Sequence, residues 1–82
     1  MYTLRIYVKN GSKWNLENTM SKSELDVFKA YFAAKNKCSL NSKITNLNYN
    51  ASGDIIHMEI TNTLELSSSD KKYKYVYDKE EE

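Results

Sequence analysis

Acid–base, nucleophilic and metal chemistry draw on histidines, cysteines and carboxylates, and this chain holds one histidine, His57, and one cysteine, Cys38. A thiolate attacking under the care of an imidazole base is the reaction those two side chains would perform. Nothing in the sequence orients them toward each other. The simpler reading of Cys38 is a small, half-buried thiol just past a helix. His57, next to Glu59 on the polar side of a strand, reads as a solvated or cross-strand-paired imidazole. One histidine and one cysteine on separate elements fall short of a metal-ligand cluster, so no metal and no cofactor is expected. Carboxylates such as Glu59 and Glu65 lie too scattered to tune each other's ionisation. The only two glycines, Gly11 and Gly53, sit in turns, so no loop cradles a phosphate, and no serine occupies a Gly-x-Ser-x-Gly elbow. Asn10-Gly11-Ser12 and Asn50-Ala51-Ser52 match the glycosylation acceptor pattern, as chance allows in a chain rich in Asn and Ser. Catalysis is not expected.

Binding chemistry is a different matter. Tyr73-Lys74-Tyr75-Val76-Tyr77, with lysines on both sides, has the composition of a stacking platform for single-stranded nucleic acid. The charge balance argues against it. Twelve Lys and Arg face eleven Asp and Glu, for a net charge of +1, whereas proteins that live on phosphate contacts carry a clear basic excess. A mimic of DNA would carry the opposite excess. The charge is uneven, with Lys71, Lys72, Lys74 and Lys79 gathered before a closing Glu80-Glu81-Glu82.

Eighty-two residues, 40% apolar and 28% charged, suit one globular domain with one core. The expectation is a single α+β domain over 1–79 and a frayed acidic tail over 80–82. No apolar run nears the ~18 residues of a membrane span. A lone cysteine and the lack of a basic-then-apolar leader fit the cytoplasm. Eleven lysines to one arginine, nine asparagines and no proline suggest an AT-rich source such as a low-GC bacterium or its phages.

The elements that must position any site follow from periodicity. Tyr2 to Lys9 alternates, with Leu4, Ile6 and Val8 on one face and Thr3, Arg5, Tyr7 and Lys9 on the other. Asn10-Gly11 marks a hairpin into a strand over Lys13 to Glu17. A three-residue bulged loop of Lys9, Asn10 and Gly11 would pair Ile6 with Trp14 and Leu4 with Leu16, collecting the large apolar residues on one face. Ser21 to Lys35 reads as the one helix, opened by a Ser21–Glu24 capping box and a Met20–Leu25 staple. Leu25, Phe28 and Phe32 form its core stripe, with Tyr31 at the edge. Lys43 to Tyr49 is a strand with Thr45, Leu47 and Tyr49 on one side. A turn at Asn50–Gly53 leads to a strand from Asp54 to about Leu66, with Ile56, Met58, Ile60, Leu64 and Leu66 inward and Leu47 opposite Ile56. After a turn at Ser67–Asp70, Lys72 to Asp78 forms the last strand, its tyrosines lining the core edge with Tyr73 opposite Leu66 or Leu64.

The expected fold is therefore ββαβββ, a single helix on one face of a mostly antiparallel sheet of four to five strands. Over residues 2–66 this order resembles that of the β-grasp family, ubiquitin and its relatives. The resemblance rests on element order alone. Ubiquitin-type modifiers end in Gly-Gly, whereas this chain ends Asp78-Lys79-Glu80-Glu81-Glu82, so the resemblance implies no conjugation role.

Geometry then suggests where a partner would bind. A helix about 10–12 Å wide covers two or three strands spaced about 4.8 Å apart, not five. The uncovered face should carry Arg5, Tyr7, Lys9, Ile55, His57, Lys72, Lys74 and Val76, and these are the expected contact residues. The leading expectation is a small non-catalytic protein-binding module, such as a phage- or mobile-element-encoded inhibitor that covers a surface of a bacterial enzyme or defence complex. Its partner would be that host protein, or a second copy in a homodimer. The alternatives are a single-stranded nucleic-acid-binding domain using Arg5, Lys9, Lys72 and Lys74, and a structural subunit of a larger assembly.

Overall fold

A computed structural model describes residues 1–36, 42–66 and 69–80, with backbone alone for Asn10 and for 63–66 and 69–71. Among these residues the chain forms β1 (Tyr2–Asn10), β2 (Lys13–Lys22), α1 (Glu24–Lys35), β3 (Ser42–Tyr49), β4 (Ile55–Leu66) and β5 (Ser69–Lys79). The strands make one open sheet in the order β2-β1-β5-β4-β3, and every neighbouring pair is antiparallel. This is the expected α+β fold in ββαβββ order. Cys38 and Leu40 lie outside the described residues, as do Ser67, Ser68 and the last two glutamates.

The alternation of β1 sorts the faces as its sequence implies. Leu4 lies opposite Tyr77, which lies opposite Met58, which lies opposite Leu47; these turn toward the helix. Tyr2, Leu4, Ile55, Met58, Ile60 and Tyr77 are buried there together with Val27 and Ala34 of α1. The Tyr2 hydroxyl satisfies its buried end by donating to the Ile55 carbonyl at 2.6 Å. The three tyrosines of β5 point to this side, with Tyr77 buried and Tyr73 and Tyr75 half-buried. Tyr73 sits opposite Asn62 rather than Leu64 or Leu66, because β5 starts three residues before Lys72 and pairs Ser69 with Leu66.

Several registers differ from the sequence reading. The first hairpin closes through a two-residue Gly11-Ser12 loop, with Asn10 opposite Lys13. Gly11 takes φ +63°, the positive value that the first position of a primed hairpin turn requires. Trp14 therefore sits opposite Lys9 and Leu16 opposite Tyr7, on the face away from the core. A bulge at Glu17 then shifts the ladder and turns Met20 inward, opposite Leu4. In β4 the ladder with β3 shifts between Asn48 and Tyr49. That irregularity buries Ile55 and leaves Ile56 at the surface, the reverse of the expected facing. Leu47 accordingly meets Met58 and not Ile56, and a second shift between Ile44 and Asn46 puts Ile44 in place of Thr45 on the inner side.

The helix starts later than its serines suggest. Ser21 and Lys22 are taken by the β1 ladder, opposite Thr3 and Tyr2. The cap passes to Ser23, whose Oγ accepts from the Asp26 N–H at 3.2 Å while Asp26 Oδ2 accepts from Ser23 N–H and Oγ. These bonds, the side-chain one first, hold the Asp26 carboxyl below the ordinary carboxylate range.

The helix also faces the other way. Val27 and Ala34 are 1% and 8% exposed, with Ala30 and Tyr31 half-buried beside them. Leu25, Phe28 and Phe32, the expected core stripe, are 63%, 41% and 55% exposed. Volume accounts for the inversion. The sheet already supplies Tyr2, Met58, Tyr75 and Tyr77, so small side chains on α1 let it approach closely. The fit is loose at one end, where a cavity of about 180 Å³ lies among Ala30, Ala33, Ala34, Ile60, Tyr75 and Tyr77.

Met58→Ala should therefore cost about 2–5 kcal/mol in urea unfolding, the usual range for emptying a core position. Phe32→Ala, at dilute protein, should stay within about 0.5 kcal/mol of the parent. Equal losses for the two would contradict this helix orientation.

Candidate protein-contact surface

The face away from α1 is built by the outward positions of all five strands. Four lateral rows cross it: Thr3–Asp78–His57–Asn48, Arg5–Val76–Glu59–Asn46, Tyr7–Lys74–Thr61–Lys43 and Lys9–Lys72. Directly opposed residues share a face, so these rows place seven of the eight expected contact residues together: Arg5, Tyr7, Lys9, His57, Lys72, Lys74 and Val76. Ile55 is the exception; the β4 irregularity puts it in the core. Val76 shares the face but is only 9% exposed, closed in by its neighbours, so it forms a floor and not a contact.

At one end of this face a polar network crosses four strands. Arg5 Nη1 donates to Asp78 Oδ2 at 3.2 Å. The other Asp78 oxygen meets His57 Nδ1. His57 Nε2 meets Glu59 Oε2 at 3.0 Å, and Asn46 Nδ2 donates to that same oxygen at 2.9 Å. Hydrogen bonds to Asp78, then to Glu59, raise the imidazole's pKa, so the charged form with two N–H donors is favoured. The His57 and Asn46 bonds in turn lower that of Glu59. His57 is thus the cross-strand-paired histidine that its position implied. Both ring nitrogens are engaged by carboxylate oxygens. The two carboxylates grip opposite ends of the ring, and among the described residues no group of three or more His, Cys, Asp and Glu could hold a metal ion.

Next to the network the surface turns aromatic. Trp14 lies under the Lys74 ammonium, 4.4 Å from the ring centroid, and Lys9 reaches it from 5.8 Å. Tyr7, Trp14, Lys74 and Val76, with His57 and Glu59 at the rim, enclose a shallow hollow of about 270 Å³. Leu16 stands exposed beside them. Aromatic side chains are thus ringed here by charges of both signs. The tyrosines and lysines of β5 are split between opposite faces, so only Tyr7 and Trp14 remain for stacking among the lysines.

Sequence reasoning missed Asp78, Asn46, Trp14 and Leu16. The first follows from register: with Ser69 opposite Leu66, Asp78 falls opposite His57, whereas the expected four-residue turn would set it two places away. The last two follow from the Gly11-Ser12 loop. Compared with known proteins, the chain matches no family model, no curated protein and no solved structure. The likeness to ubiquitin relatives stays one of element order.

A pH dependence follows from the network. His57 has a raised pKa when folded, so its bonds stabilise the protein fully below the unfolded value of about 6.5 and are lost as pH rises through the folded value. Stability measured by urea should fall across that window, and His57→Gln should flatten the fall. An unchanged slope in the variant would remove His57 from this role.

Proposed function

We propose that the chain is a small, non-catalytic protein-binding module that works by covering another protein's surface with its helix-free sheet face. The observation that carries this reading is the Trp14–Tyr7–Leu16 corner, large apolar groups on a face that α1 leaves uncovered, bordered by a charge-balanced network. Aromatic and arginine side chains in such a setting are the usual anchors of an interface. The single arginine belongs to this face and is already held in place by Asp78, which lowers the entropy lost on binding.

Near-neutral charge favours a protein partner over a phosphate backbone. Small size and AT-rich composition are in keeping with a phage- or mobile-element-encoded inhibitor acting in the cytoplasm of a low-GC bacterium. Among the described residues no helix is long and apolar enough to cross a membrane.

The immobilised protein should enrich a discrete partner from a low-GC bacterial lysate, and Trp14→Ala should reduce the capture at least about tenfold, as an anchor residue would. No enrichment over the Trp14→Ala control would count against the reading. So would salt-sensitive retardation of single-stranded nucleic acid that Lys72→Glu and Lys74→Glu abolish.

A further inference from the structure

The outward side of α1 is apolar, with Glu24 and Lys35 along one flank and Lys29 on the other. Leu25, Phe28 and Phe32 fall on one stripe, at spacings of three and four residues. Glu24 opens the helix and Lys35 closes it. Eleven residues separate them, close to three full turns at 3.6 residues each, so both lie along the same flank of the stripe. At that separation they do not reach each other within one helix, since pairs meet at three or four residues. Glu24 forms no ion pair among the described residues, and Lys35 is steadied by donating to the Tyr31 hydroxyl at 3.1 Å.

A second copy of this helix, turned about a two-fold axis perpendicular to both, brings like flanks together and reverses their direction. Glu24 then faces Lys35 of the other copy, twice over. The midpoint of Leu25 and Phe32 and the midpoint of Glu24 and Lys35 differ by one residue, about 1.5 Å along the axis, so one dyad satisfies stripe and charges together. A parallel pairing would instead bring opposite flanks together, so that Glu24 no longer meets Lys35, and would align the two dipoles unfavourably.

We infer that the chain self-associates as an antiparallel homodimer through the outer face of α1, with Leu25, Phe28 and Phe32 in the seam and reciprocal Glu24–Lys35 pairs at its ends. This goes beyond the protein-binding reading and does not rest on it. The dimer is weak: a seam along a helix about 18 Å long lies below the usual 1,200–2,000 Å² of a stable interface, which suits a dissociation constant on the order of 100 μM. Its geometry leaves both helix-free faces pointing outward, so a dimer offers two copies of the Trp14 corner and gains from multivalent targets.

Sedimentation velocity of the purified chain from about 10 μM to about 1 mM tests the inference on the scale its affinity requires. A monomer–dimer equilibrium is expected. Phe28→Asp should abolish it while leaving the circular-dichroism melt of the dilute protein unchanged. Glu24→Lys or Lys35→Glu alone should weaken dimerisation about threefold to tenfold, and the double reversal should restore it. A chain monomeric throughout would overturn the inference, leaving the stripe to some other occupant. A dimer indifferent to Phe28→Asp, or one that the double reversal fails to rescue, would overturn it equally. Trp14→Ala should leave the equilibrium untouched, which separates this result from the capture experiment.

Discussion

The ladder between β1 and β5 is the pairing on which everything else in the fold depends. It joins the first strand to the last at the centre of the sheet, with Leu4 opposite Tyr77 and Arg5 opposite Val76. Both elements are drawn into one body by it, and it is closed at its end by Glu80 N–H donating to the Met1 carbonyl at 3.0 Å. Because side chains alternate, this single register decides both faces at once. Leu4 and Tyr77 go to the helix side, while Arg5, Asp78 and Lys74 go to the other. A slip by one residue would bury Arg5 and expose Leu4, and no other pairing could correct it.

On that sheet the helix is the smaller partner, and its chemistry is arranged accordingly. Bulk comes from below, in Tyr2, Met58, Tyr75 and Tyr77, and α1 answers with Val27, Ala30 and Ala34. The large side chains of the helix are left facing water. Exposed leucine and phenylalanine in a 12-residue helix cost solubility without adding to the core. Their retention is intelligible if they are covered in the working state. The molecule thus presents two apolar surfaces on opposite sides of a body only 18 Å thick, one helical and one on the sheet.

Much of this was legible in the sequence. The alternation of Thr3, Leu4, Arg5, Ile6 and Tyr7 reads directly as a half-buried strand, and the tyrosine run of β5 reads correctly as core lining. What escaped has a common physical origin. The hairpin at Gly11-Ser12 moves Trp14 from opposite Ile6 to opposite Lys9, and the bulges at Glu17 and beside Asn48 each shift a ladder by one, none of which periodicity within one strand can report. So Trp14, Leu16 and Ile56 moved outward and Ile55 inward. The helix failed differently. Its most apolar stripe is Leu25–Phe28–Phe32, and hydrophobicity alone assigns that to the core; the volume already filled by the sheet reverses the assignment. The His57 network was half legible, because Glu59 lies two residues away on the same strand, while Asp78 and Arg5 arrive through register.

The central claim is that α1 docks through its small residues and turns its large ones away. Nuclear Overhauser contacts in the dilute protein test it most directly. Cross-peaks are expected from the Val27 methyl groups to Met58, Leu4 or Tyr77, and none from the Phe28 and Phe32 rings to those three. Strong contacts between either phenylalanine ring and Met58 would contradict it.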